Sequence, residues 1–339
     1  MAPEVPSFLG DFGLKVGDRR PTRLDLANWI VHDENPLTAR TLVNRLWKLF
    51  YGQGLATPLD DLGAQGVRPT HPELLDYLAI EFMDQGWDVK RLVRLMVNSS
   101  TYRQSSVGTS EQKSADPYNK LYARQLRTRL DAEMVRDNAL AISGLLSQKI
   151  GGASVKPYQP AGYWRHMNFP TRKWSHDKNE NLYRRGLYTW WQRMFLHPSM
   201  LAFDAPSREE CTVERPRSNT PQQALVLLND PTYVEAARAF AERTLNLSTD
   251  DDAENQIEQQ ITWMYRQAVS RKPTPQELKI VQNVYDKHLA DYKASPEAAK
   301  QLVGVGESSV GEDLPPAQLA ALTSVARIIL NLHETISRP

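Results

Sequence analysis

The chain has 339 residues, with 41 Lys and Arg against 40 Asp and Glu, one cysteine, 22 prolines and 29 aromatic residues. A formal charge of +1 removes the global electrostatic case for a nucleic-acid or anionic-membrane binder. Cys211 alone excludes an internal disulfide, a cysteine-built zinc site and a C-x-x-C-H haem attachment, so no cofactor is expected in this chain. No run approaches the roughly 18 to 20 apolar residues of a membrane-spanning helix, and Met1-Ala2-Pro3-Glu4 lacks the regions of a signal peptide.

Prolines punctuate the chain. Asn35-Pro36, Asp116-Pro117, Thr220-Pro221, Asp230-Pro231, Thr274-Pro275 and Ser295-Pro296 each place a capping residue before a proline, which predicts repeated helix starts. After Asn35-Pro36, Leu42, Leu46, Leu49 and Phe50 mark one helical face, and Gly52 ends it. Thr70-His71-Pro72-Glu73 opens a second helix with Leu74, Leu78 and Phe82 on one stripe, and Asp88 starts a third carrying Leu92, Leu95 and Met96. Further helices are predicted over about 129–147, 221–229, 231–246, 254–270, 275–292 and 316–335, the last with Val325, Ile328, Leu332 and Ile336 facing the core. One strand is expected, Gly186-Leu187-Tyr188-Thr189-Trp190-Trp191, where aromatic and β-branched residues follow a glycine.

The chain therefore reads as mainly α, a compact multi-helix domain with a small β or irregular, aromatic-rich central segment. One domain is expected over 1–339, with a leading segment 1–22, an N-terminal helical part 23–150, a central segment 151–217 and a C-terminal helical part 218–339. The two helical parts are expected to pack together with the central segment between them.

Charge is uneven. Residues 151–220 carry 11 basic and 6 acidic groups, while 221–339 carry 11 and 16. The same middle stretch holds eleven aromatic residues and His166, His176 and His197. Aromatic faces interleaved with Arg165, Arg172, Lys173, Arg184 and Arg185 suit stacking on bases or apolar platforms for sugar rings, with Asn168, Asn179 and Asn181 bonding to hydroxyls. A purely structural role stays open beside these, with the arginines paired to the acidic C-terminal third.

Other motifs read as ordinary structure. Gly304-Val305-Gly306 lacks the third glycine of a dinucleotide fingerprint and reads as a flexible inter-helix loop. Asp250-Asp251-Asp252 lacks the glycine and terminal glutamate of a calcium loop and reads as a solvated helix start. The histidines have no His-Glu-x-x-His spacing, so no metal site is expected. Cys211 is expected to be a partly buried small side chain, and His71 and His333 structural residues.

Longer blocks are familiar. Asn35-Pro36-Leu37-Thr38-Ala39-Arg40, Val43-Asn44-Arg45-Leu46-Trp47, Pro69-Thr70-His71-Pro72-Glu73-Leu74-Leu75-Asp76, Arg129-Leu130-Asp131-Ala132-Glu133, Arg184-Arg185-Gly186-Leu187-Tyr188-Thr189, Phe203-Asp204-Ala205-Pro206 and Asn219-Thr220-Pro221-Gln222-Gln223-Ala224-Leu225 occur in this order. They resemble the domain-of-unknown-function family 1553 of planctomycete cytochrome c-type multidomain proteins, over about residues 22–336. The resemblance implies a C-terminal module of an exported, periplasmic or extracellular protein, with haem on a separate domain and carbohydrate-binding modules in some members. It transfers no catalytic residue.

The leading functional expectation is a non-catalytic interaction or assembly module whose partner is a cytochrome c-like domain or another part of a parent protein. The alternative is a domain that binds or processes extracellular polysaccharide. For either, the candidate ligand-binding residues are Trp164, Arg165, His166, Trp174, His176, Asp177, Arg184 and Arg185.

Overall fold

A computed structural model describes residues 5–11, 19–63, 65–166, 173–192, 195–247, 253–311 and 313–338, without the side chains of His166 and of 253–255. Asn168, Phe169, Arg172 and the Asp250–Asp252 run lie outside the described residues. The chain is mainly α, and it forms two compact units, Met1–Thr128 and Arg129–Arg338.

The first unit contains α1 (Arg23–Ile30), α2 (Thr38–Tyr51), α3 (Pro72–Asp84), α4 (Val89–Asn98) and α5 (Ser110–Ala115). Asn35 acts as expected of a cap, its Oδ1 accepting from the Leu37 and Thr38 N–H groups. The buried face of α2 differs from the leucine stripe: Ala39, Val43, Asn44, Trp47 and Tyr51 are buried, and Leu49 is 49% exposed. Two aromatic rings one turn apart cover more area than the leucines and take the core side, Trp47 stacking on Tyr51 at 3.9 Å with Tyr122 edge-on at 5.3 Å. They pack with Leu75, Leu78 and Phe82 of α3 and Leu92 and Met96 of α4. Asp116-Pro117 opens no helix. Asp116 caps the end of α5, and its carboxylate accepts from the Lys120 and Leu121 N–H groups, which closes a turn instead.

The second unit contains α6 (Ala132–Ser143), α7 (Pro198–Ala202), α8 (Pro221–Asn229), α9 (Pro231–Leu245), α10 (Ala253–Val269), α11 (Pro275–Ala294), α12 (Pro296–Val303) and α13 (Pro316–Leu330). Proline stands in the first turn of α8, α9, α11 and α12, where its missing N–H costs nothing. At the centre, α9 packs against α6 and α13, and α13 against α11 and α12. Ala236, Ala237 and Ala241 of α9 and Ala320 and Ala326 of α13 are fully buried, so the helices approach closely around Phe240, Leu322 and Ile329. α13 stops at Leu330, short of the predicted 335, because Asn331 caps it. The unit opens and closes with Leu130 N–H donating to Ile336 O at 2.8 Å, beside the two-residue strands β1 (Thr128–Arg129) and β2 (Ser337–Arg338).

The strand expected at 186–191 does not form. Gly186–Tyr188 is a 3₁₀ turn, and only Thr189 makes an isolated parallel bridge, to Val155. The cause is local. A Cβ at Gly186 would lie 2.9 Å from Glu133 Cα, so the segment is pressed onto α6 and turns there instead of running straight.

Candidate functional site

The central segment has little regular structure, so its backbone groups need partners from elsewhere. Side chains of α6 supply several. Arg136 is buried and donates through Nη1 to Arg184 O at 2.6 Å and through Nη2 to Leu182 O at 2.7 Å. Asp137 Oδ1 accepts from the Gly186 N–H at 2.6 Å. Burial pushes the Arg136 guanidinium down and the Asp137 carboxyl up from their ordinary values. Burial likewise raises Asp230, which caps α9 by accepting from the Thr232 N–H, and Tyr233 beside it.

Glu235 of α9 is the second anchor. It is only 1% exposed, yet its carboxylate accepts from the Tyr158 hydroxyl at 3.0 Å, the Tyr183 hydroxyl at 2.8 Å, and the Glu307 and Ser308 N–H groups at 2.8 and 2.7 Å. Arg238, one turn on, donates to Ser308 O at 2.8 Å and lies 3.8 Å from Glu235. Burial, then the adjacent carboxylate, drive both tyrosine hydroxyls far above their ordinary range. The loop after α12 is therefore clasped, in place of the free loop expected of Gly304-Val305-Gly306. Gly306 has φ +101°, and a Cβ there would sit 2.2 Å from Glu235 Cδ.

His197 closes this polar seam. At 2% exposure, its Nε2–H donates to Tyr158 O at 2.8 Å and its Nδ1 accepts from the Ser199 hydroxyl at 3.0 Å. Burial, aided by the Arg136 charge, pulls its pKa down to about 4, so the ring is neutral at pH 7.

Against the seam lies an aromatic corner. Trp164 and Trp174 stack at 5.4 Å with planes 19° apart, and Trp190 is 6.0 and 5.8 Å from them. Phe195 meets Trp164 edge-on at 4.9 Å and Tyr163 at 4.4 Å. The Lys156 ammonium lies over both Trp174 and Trp190, at 5.7 and 5.4 Å. Trp164 is buried and bonds through its indole N–H to Gln159, whereas Trp174 and Trp190 keep part of their surface open.

The remaining candidates divide sharply. Arg165 is exposed at this corner, as is Lys173. His176 Nε2–H donates to Glu307 Oε1 at 3.0 Å, and Asp177 exchanges two hydrogen bonds with the Lys156 backbone. Arg184 is 2% exposed, donates to Ala153 O at 2.7 Å and to Gly151 O, and covers the Tyr188 ring at 3.9 Å. It is thus an internal brace. Arg185 bonds to Gln148 at 3.3 Å.

Among the described residues, the arginines of the middle stretch do not pair with the acidic C-terminal third. Tyr158, Tyr183 and His176 make those contacts. Arg208 and Arg215 meet Glu133, Arg215 at 2.7 Å, and Arg217 stands 3.9 Å from Asp131. Burial raises Glu133, but its Arg215 hydrogen bond and the nearby arginine charges outweigh this and hold it below its ordinary value. Arg208 also covers Trp191 at 4.0 Å. The irregular segment so held leaves Cys211 exposed, where a partly buried thiol was expected.

The seam is what sequence reasoning missed. Arg136, Glu235 and Arg238 lie on helices, where an isolated charge reads as a solvated position. The signal available was the flanking alanines of Val234-Glu235-Ala236-Ala237-Arg238-Ala239, which leave no polar face.

Among the described residues no group of three or more His, Cys, Asp or Glu is arranged to hold a metal ion, and no helix is long and apolar enough to cross a membrane. No curated protein and no solved structure matches the chain. The model of one family does match, across residues 22–285, and the blocks that build the α6 end of the seam, Arg129 to Glu133 and Arg184 to Thr189, fall inside it. The chain therefore belongs to the PSD1 family, described as a protein of unknown function (DUF1553).

Proposed function

We propose that the chain is a non-catalytic interaction or assembly module of an exported, cytochrome c-linked bacterial protein, meeting its partner through the aromatic corner. One observation carries this reading. His176, Asp177 and Arg184 are each engaged by the protein's own groups, whereas Trp174 and Trp190 remain partly open beside the exposed Arg165 and Lys173. Tryptophan and arginine are enriched among the side chains that dominate binding energy at protein interfaces. Export and the cytochrome partner come from the family resemblance.

The test is calorimetric titration of the chain with c-type cytochrome domains and with other parts of its parent polypeptide. Binding that falls at least tenfold on Trp174→Ala supports the proposal, and no binding to any of them sinks it.

A polysaccharide reading is favoured by one feature, the near-parallel Trp164–Trp174 stack with an open outer ring, which suits the apolar face of a sugar. Soluble glycans titrated against the same Trp174→Ala variant separate the two.

A further inference from the structure

The first unit holds a feature that the aromatic corner does not involve. Beside the start of α2 and α3 and the loop after Gly54 lies a cavity of about 320 Å³. Leu37, Ala56, Leu62, Val67 and Leu75 form most of its wall, and Arg40 is the one charged residue among the described residues lining it. The volume falls within the range of small-ligand sites, which pair apolar walls with a few fixed polar groups.

Both parts are held in place. Arg40 Nε donates to Asp76 Oδ1 at 2.6 Å and Nη1 donates to Pro36 O at 2.7 Å, which fixes the guanidinium plane and leaves Nη2 without an acceptor among the described residues. The opposite wall is clamped by Asn44, fully buried, which accepts from the Ala56 N–H at 3.1 Å and donates to Ala56 O at 2.8 Å. Val67 N–H to Thr57 O at 2.9 Å and Thr70 N–H to Leu55 O at 2.8 Å close the loop.

We infer that this cavity is a binding site for a short aliphatic carboxylate, its chain on the apolar wall and its carboxylate accepting from Arg40 Nη2. A guanidinium edge selects carboxylate over other heads because the charge-assisted hydrogen bond is about twice as strong as a neutral one. An amine in the same place would meet Arg40 with like charge. Asp76 keeps the pair close to neutral, so binding rests on the short-range bond and apolar burial and changes little with salt.

The experiment is titration of the full chain with hexanoate, followed by saturation-transfer NMR, with hexan-1-ol and hexylamine in parallel. Hexanoate is expected to bind about tenfold more tightly than hexanol, and hexylamine not at all. Arg40→Gln should reduce hexanoate to the level of hexanol. Val67→Trp, at a rim position 62% exposed, should fill the cavity mouth and abolish binding of hexanoate and hexanol without touching the core. N-acetyl-leucine separates the two sources of this chemistry. If it binds as hexanoate does, the occupant is a polypeptide carboxyl terminus, and if only hexanoate binds, it is a free acid. Absence of hexanoate binding, equal binding of hexylamine, or binding unchanged in Val67→Trp would overturn the assignment. So would hexanoate affinity unchanged in a folded Arg40→Gln; should that variant not fold, Val67→Trp and the amine comparison still decide.

Discussion

Replacing Gly306 by alanine tests whether the Glu235 clasp holds the loop after α12. The new Cβ would stand 2.2 Å from Glu235 Cδ, 2.4 Å from Oε1 and 2.5 Å from Cγ, far inside contact distance. The carboxylate is buried and held by four donors, so the loop must lift. Lifting removes the Glu307 and Ser308 N–H groups from a buried charge, about 1.5 kcal/mol or more for each charge-assisted bond. A left-handed alanine adds about 1 kcal/mol. The expected loss is about 4 kcal/mol in urea unfolding. Gly162→Ala is the control, with φ +80° and nothing within 4 Å of its Cβ, and it should cost only the backbone strain, about 1 kcal/mol. In a Glu235→Ala background the clash disappears, so the same Gly306→Ala change should again cost about 1 kcal/mol. If Gly306→Ala and Gly162→Ala destabilise equally in the otherwise unchanged protein, the clasp does not hold the loop.

His197 gives a pH-dependent companion. Its folded pKa lies near 4 against an ordinary 6.5, so between those values the unfolded chain binds a proton that the folded chain refuses. The stability from its neutral, hydrogen-bonded ring is full above pH 6.5 and is lost as pH falls towards 4, by about 3 kcal/mol. The stability difference between the protein and His197→Asn, measured by urea unfolding, should narrow across that window, and a constant difference would refute the buried-ring account. At the start of α11, Thr274→Ala removes a capping box with Glu277 and should cost about 1 kcal/mol, or about 2–4 °C in melting temperature. Glu277 is held down to about 2, first by its Arg271 hydrogen bond, so that contact is complete above pH 4.5 and weakens as pH falls towards 2. A midpoint that changes as much between pH 7 and 5 as between pH 4.5 and 2.5 in the Glu277-dependent part would contradict it.

The legible parts of the sequence were those governed by local rules. Proline at the first helical turn fixes the starts of α8, α9, α11 and α12 because it depends only on neighbouring residues. Asp116-Pro117 shows the limit of that rule, since the same pair without a periodic apolar run closes a turn. The α2 face and the 186–191 segment depart from expectation for a different reason. Which side of α2 is buried depends on Tyr122 and the leucines of α3, and the turn at Gly186 depends on the α6 backbone, all distant in sequence. At the candidate site the density of tryptophan was visible, but its division into a buried Trp164 and half-open Trp174 and Trp190 was not. Nor was the destination of Arg184, since a guanidinium serving backbone carbonyls of a loop leaves no pattern in the residues around it.

Clusters of displaced pKa values commonly mark catalytic sites, and the seam between α6, α9 and the central segment holds such a cluster. The directions argue for another role. General acid–base catalysis needs a group poised near the working pH. Here burial takes Tyr158, Tyr183 and Tyr233 upward, away from neutrality, and takes His197 down to about 4. Asp137 and Asp230 move upward, but each accepts from a backbone N–H, of Gly186 and Thr232, and so has a structural task. These groups satisfy the backbone of a segment too irregular to satisfy itself. The consequence reaches the surface: with Tyr158, Leu182, Arg184 and Gly186 tied to two core helices, Trp174 and Trp190 are presented on a rigid base. The proposed contact surface, held in this way, would lose little conformational entropy on binding.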